Sequence, residues 1–231
     1  MDKLSERIGL YDLWVTFFPG SIGVLGALLF LGMNACIYSD KLSIDLLVEY
    51  LPKEISDWFL FVIVSILCGI IIQEIGHFIH KKAKLKDASA AMFDQKQGVF
   101  SESEIKFLNL QKYDTNSKIV FHQINTRAQA YGIAPRYIKL NVIQNMSLSL
   151  AADMIIWNLI GIVLTVVSIG HACANKIILL IVLYTICSFL LCIMFLKRSE
   201  RYNRYWVRNI VYAVVLYERG INVEDKKKAN L

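Results

Sequence analysis

Seven residues between Ser65 and His80 are the part of this chain best equipped for chemistry: Ser65, Gly69, Gln73, Glu74, Gly76, His77 and His80. Ser65, Gly69, Gln73, Gly76 and His80 follow one another at spacings of four, four, three and four. On a helix they form one small-and-polar stripe in a segment otherwise built of Ile, Leu and Phe. Such a stripe either packs against a neighbouring helix, as small residues do in membranes, or faces water. Gln73 and Glu74 argue for water, because polar groups this near lipid need a partner or a hydrated cavity. Glu74 and His77 stand one turn apart and could share a metal ligand, but His80 is rotated by about 120° around the helix. The chain has only 4 histidines, too few for the histidine-rich di-iron centres of membrane oxygenases, so no metal and no cofactor is expected.

Two further sets of residues could do chemistry. Asp153 and Asn158 lie in an apolar run in which Asp153 is the sole acidic residue. A carboxyl there either faces a bundle interior or aqueous path, at a depth comparable with Glu74, or starts a helix near headgroups. The second set is Arg198, Arg201, Arg204 and Arg208, interleaved with Tyr202, Tyr205 and Trp206. Juxtamembrane cations with aromatics anchor to anionic headgroups. The same residues could grip phosphate and base together, with Arg127, Arg136 and Lys139 completing an anion site for a nucleotide, oligonucleotide or acidic partner. No Gly-rich phosphate loop, nucleophile elbow or Cys-x-x-Cys occurs, so enzyme chemistry is not expected.

What must position these residues is a membrane. The chain has 231 residues, of which 56% are hydrophobic and only 19% charged, and its mean hydropathy is +0.48. A soluble domain would carry about a quarter charged residues. Four apolar runs, at about 13–38, 58–79, 146–169 and 177–196, are each long enough to cross a bilayer. In hydrocarbon every backbone polar group must be paired within the segment, and no run alternates with period two. The fold is therefore all-α: a polytopic membrane protein with four transmembrane helices and helical cytoplasmic extensions. The organisation reads as residues 1–80 (a short interfacial helix over 1–13, then transmembrane helices 1 and 2), 81–145 (a cytoplasmic helical insert), 146–197 (transmembrane helices 3 and 4) and 198–231 (a C-terminal helix and a basic tail).

Of the 25 Lys and Arg residues, 11 fall in 81–146 and 9 in 197–231. Cationic loops stay inside, so the insert and both termini are assigned to the cytoplasmic side. The first run is too long for a signal-peptide core and reads as a retained span. Cys36 and Cys173 both fall near the outer face, where they are either a disulfide or two small buried residues. Gly20, Gly23 and Gly26 let the first span approach a neighbour closely. Residues 43–51 read as an outer-surface amphipathic helix ended by Pro52.

Within the insert, Ser101 and Glu104 form a capping box opening a helix to about Tyr113. Asn116 could cap the next, which carries Ile119, Val120, Phe121, Ile124, Ala128 and Tyr131 toward Gly132 and Pro135. From Arg136 a helix is expected to run unbroken into the third span. After the fourth span, helical character continues to Gly220, a usual stop, and Lys226, Lys227 and Lys228 sit in a tail that reads as disordered. The insert and residues 198–219 are expected to form a small bundle whose core is marginal alone, which favours a homo-oligomer.

The phrases Gln73-Glu74-Ile75-Gly76 and Arg127-Ala128-Gln129-Ala130-Tyr131-Gly132 resemble four-span bacterial inner-membrane proteins of two-gene anti-phage defence systems, the Kiwa-like and Hailong-like membrane components. The resemblance covers the layout and these two phrases and carries over no binding residue. It implies an inner-membrane sensor or channel-like effector controlled by a cytoplasmic partner or a nucleotide signal. The residues alone lead to a compatible expectation: a homo-oligomeric ion-conducting pore in the lipid bilayer, gated by an acidic ligand or partner protein through its cytoplasmic helices. Two other readings remain open, a membrane-tethered scaffold recruiting a soluble enzyme and a metal-dependent lipid enzyme.

Overall fold

The computed structural model describes residues 2–39, 43–82, 88–93, 98–110, 117–169 and 174–220, with side chains left aside at 2–12, 47, 136 and 174–177. The described residues are all-α. In order they form α1 (Asp2–Tyr38), α2 (Ile44–Val48), α3 (Ile55–Lys82), α4 (Glu102–Phe107), α5 (Ser117–Ala130), a short 3-10 turn (Ala134–Tyr137), α6 (Ile138–Ser168) and α7 (Ala174–Glu218). Four segments are long and apolar enough to cross a membrane: Leu13–Tyr38, Ile55–Lys82, Ile138–Ser168 and Ile178–Glu218. This is a multi-pass membrane protein.

Several element bounds differ from those the sequence pattern suggests. No separate interfacial helix precedes the first span, because α1 is continuous through Pro19. Proline lacks only its own N–H, and a span tolerates one lost bond where neighbouring helices pack against it. The outer helix α2 is five residues long, started by Ser43, whose side chain accepts from the Asp45 N–H. The capping box at Ser101 and Glu104 is complete, but α4 ends at Phe107 rather than near Tyr113, where Asn109 takes a positive φ of 52°. The third long helix begins at Ile138, after a 3-10 turn that contains Pro135. Asn116, Cys173 and the basic tail lie outside the described residues, and the Cys36–Cys173 pairing with them. Cys68, Cys187 and Cys192 are free thiols.

The chain divides into two compact units. The first, the span unit, comprises Gly9–Ala83 and Asn145–Arg198. Lipid is as apolar as leucine, so its helices are held by close packing rather than by a hydrophobic drive. Glycine supplies that packing. A Cβ on Gly20 would fall 1.7 Å from the Ser65 carbonyl oxygen, and one on Gly69 would fall 1.8 Å from that of Thr16. Backbone therefore meets backbone between α1 and α3. Gly26 takes the Trp157 ring, whose nearest atom would lie 2.2 Å from an added Cβ. Ile37, Leu164 and Ile181 close one apolar cluster, and Ala151, Met154 and Cys192 another.

The second, the insert unit, comprises Met1–Ile8, Lys84–Gln144 and Ser199–Leu231. Its core joins Val120, Phe121, Ile124 and Ala128 of α5 to Val207, Ile210, Val211, Val214 and Val215 of α7, with Met92, Phe100, Leu108 and Leu110 filling the sides. Both helices present these residues at three- and four-residue spacing, so one apolar stripe meets another. Phe121 and Trp206 meet edge to face at 5.2 Å. At the end of α5, Gly132 takes φ +68°, while the Ile133 N–H bonds the Ala128 carbonyl at 2.8 Å and the Gly132 N–H bonds that of Gln129 at 3.0 Å. This pairing is a Schellman stop.

Candidate functional site

The stripe on α3 separates into two faces. Ser65, Gly69 and Gly76 are buried. Ser65 and Gly69 meet α1, as described, and an added Cβ on Gly76 would lie 3.1 Å from the Leu148 backbone of α6. These residues are a packing seam. Gln73 and His80 are half-buried, whereas Glu74 and His77 are exposed on the span unit's surface. Among the described residues no group of three or more His, Cys, Asp or Glu side chains could hold a metal ion.

Asp153 is placed quite differently from Glu74. It is 1% exposed, and neither carboxyl oxygen has a hydrogen-bond partner. The walls around it come from its own chain: a Cβ on Gly23 of α1 would meet Asp153 Oδ1 at 3.1 Å and Ile72 Cδ1 at 2.8 Å. The glycine makes room for the carboxyl and the isoleucine of α3 lies beside it. Glu74 and Asp153 are therefore not brought into a common acidic surface within one chain, and Asp153 needs no neighbouring copy to be sheltered from lipid. Asn158, one face further along α6, is half-buried and its Oδ1 accepts from Ser188 Oγ of α7 at 2.6 Å. Ser188 is a partner that sequence reasoning missed. Its place in the small-polar series Thr185 and Ser188 was the available signal.

Next to this carboxyl in sequence, one turn along α1 and α6, lies an apolar cleft of about 320 Å³ lined by residues that include Gly26, Met33, Cys36, Trp157, Leu164 and Tyr184.

In the insert unit three arginines are engaged by carboxylates. Arg208 pairs with Glu104, Arg127 with Glu218 at 3.0 Å, and Arg204 with Glu200 at 3.2 Å, one turn back on the same helix. Arg201 is exposed, and the Arg136 side chain lies outside the described set. Arg198 belongs to the span unit, where it is exposed. Within the insert unit, then, Arg127, Arg204 and Arg208 each face an acid. Glu104 is the hub of this arrangement. It accepts from the Ser101 N–H at 2.9 Å, from Ser101 Oγ at 3.0 Å, from the Tyr212 hydroxyl at 2.7 Å and from Arg208. The Ser101 backbone bond above all, then the Tyr212 hydroxyl, hold its carboxyl down to about 2.

The insert unit does hold an open concavity that the sequence did not signal, a cleft of about 510 Å³ lined by Asn125, Gln129, Ala134, Pro135, Ile138, Asn141, Trp206 and Ile210. It is uncharged, and its polar lining is three carboxamides and an indole. Asn125 and Gln129 sit one turn apart on α5, and Trp206 and Ile210 one turn apart on α7. Compared with protein-family models, curated proteins and solved structures, the chain matches none.

Proposed function

We propose that this protein is a sensor-effector of the bacterial inner membrane, in which the insert unit receives a cytoplasmic signal and the span unit answers with a change in ion permeability. The observation that carries this reading is Asp153. An acidic side chain inside a bundle of spans is costly, by roughly 2.5–3.5 kcal/mol on insertion scales, and marks ion or proton routes and charge-sensing elements. Here it is enclosed by α1, α3 and α6, with no ion pair among the described residues to account for it.

The excess of Lys and Arg in 81–146 and 197–231 supports a cytoplasmic insert and cytoplasmic termini. Exposure of Glu74 and His77 on a span supports assembly of several copies, since another chain would cover polar groups that lipid cannot solvate. With Arg127, Arg204 and Arg208 already paired, the uncharged cleft around Asn125, Gln129 and Trp206 is the better-suited receiving surface for a ligand or partner protein. A place in anti-phage defence rests on the sequence resemblance alone.

Reconstitution of the full chain in liposomes tests the reading. Ion flux is expected from the wild-type protein and a change of at least about tenfold from Asp153→Leu. Absence of flux from the wild-type chain, together with a soluble protein that co-purifies with it, would replace the effector by a membrane-tethered scaffold.

A further inference from the structure

We infer that Asp153 is a proton-binding site of the span unit, holding a neutral carboxylic acid at neutral pH and exchanging its proton with water. The inference starts from what surrounds the group. From α1 the neighbour is Gly23, which has no side chain; from α3 it is Ile72, which is apolar. From α7, Tyr184 lines the same cleft as Trp157, which is one turn along α6 from Asp153, and its phenol carries no positive charge to offer. Along α6 itself, the residues one turn away on its own face, Ser149, Leu150 and Trp157, are buried. None of these is a cation.

Three species could neutralise a carboxylate in such a place. No basic side chain stands among the neighbours just named. A metal ion would need several oxygen or nitrogen ligands converging on it, whereas no group of three or more His, Cys, Asp or Glu occurs among the described residues. Ser65 Oγ, buried and without a partner on α3, is one isolated hydroxyl rather than a ligand set. The third species is a proton, which needs no ligand beyond the carboxyl oxygen that receives it. An isolated buried carboxylate takes up a proton rather than remain charged.

Proton exchange involves no other change in bonding: the O–H bond at Asp153 breaks, the pair stays on the carboxylate, and the proton passes to a water molecule that reaches the site when α1 and α6 separate. The Gly23 and Gly26 positions are where α1 lies against α6.

Infrared spectroscopy of the full-length protein in phospholipid vesicles at neutral pH reads this directly. A carbonyl stretch of a protonated carboxylic acid is expected in the wild-type spectrum, lost in Asp153→Asn, displaced in Asp153→Glu, and shifted to lower frequency after transfer to deuterated buffer. A spectrum whose acid band is absent, or persists unchanged in Asp153→Asn, would overturn the proton site. So would an Asp153 band that does not shift in deuterated buffer, because the group would then hold its proton without exchanging it. These outcomes are separate from those of the flux measurement: a chain that conducts nothing would still show the band, and a conducting chain could lack it.

Discussion

At the scale of single residues, Glu104 has the clearest consequence for stability. Its folded carboxyl titrates at about 2 against an ordinary value of 4.5. A depressed pKa stabilises the fold above the unfolded value, and that contribution is lost as pH falls from about 4.5 through about 2. The insert unit should therefore loosen over this acid window, and Glu104→Gln should be less stable at neutral pH while losing the acid-dependent part of the curve. Thermal unfolding of the purified protein between pH 7 and pH 2 checks both. Identical pH dependence in the two proteins would show that Glu104 does not carry the effect. Ser101→Ala removes the cap donor and acceptor at the same point and should cost about 1 kcal/mol. The capping box was readable from Ser101-x-x-Glu104, because its partners are three residues apart. Arg208 and Tyr212 as further donors to Glu104 were not readable, since they lie more than a hundred residues along the chain.

Among the elements, the glycines of α1 and α3 decide the packing. An alanine at Gly20 or Gly69 would place its methyl within 2 Å of a carbonyl oxygen on the facing helix. Backbone cannot yield as a side-chain tip can, so each substitution should force the helices apart and cost on the order of 1–3 kcal/mol. Gly161→Ala is the matched control, because its nearest neighbour would be Ile181 Cγ2 at 3.4 Å, an ordinary contact. Unfolding in detergent should separate Gly20→Ala and Gly69→Ala from wild type and leave Gly161→Ala close to it. Equal stability of all three variants would mean that the α1–α3 approach is not as close as this geometry requires. The spacing of Gly20, Gly23 and Gly26 announced a close approach but not its partners. Periodicity locates a face, whereas which helix covers it depends on packing that no local pattern encodes. The same limit applies to Asp153, whose depth in the apolar run was legible while its enclosure by Gly23 and Ile72 was not. Helix ends fared better where chemistry is local: Gly132 and Gly220 both take positive φ, at 68° and 69°, where the pattern placed the stops.

For the whole molecule, the division into units explains why the polar segments depend on one another. The insert unit is discontinuous in sequence, and α7 supplies Val207, Ile210, Val211, Val214 and Val215 to a core whose other half comes from α5. Fully burying one such side chain is worth about 1.5–3 kcal/mol, so the five together are comparable with the entire stability of a small domain, ~5–15 kcal/mol. A chain ending at Arg198 keeps all the apolar residues of the four crossings but uncovers Val120, Phe121, Ile124 and Ala128. The truncated protein should still insert into membranes, while proteolysis of the insert should become much faster, with new cuts within Ser117–Ala130. Supplying residues 199–220 as a separate segment in the same cells should restore protection, because the missing partner is a surface rather than a covalent link. Equal protease resistance in the full and truncated chains would mean that the insert folds without α7. The signal would then have to enter the span unit by another element.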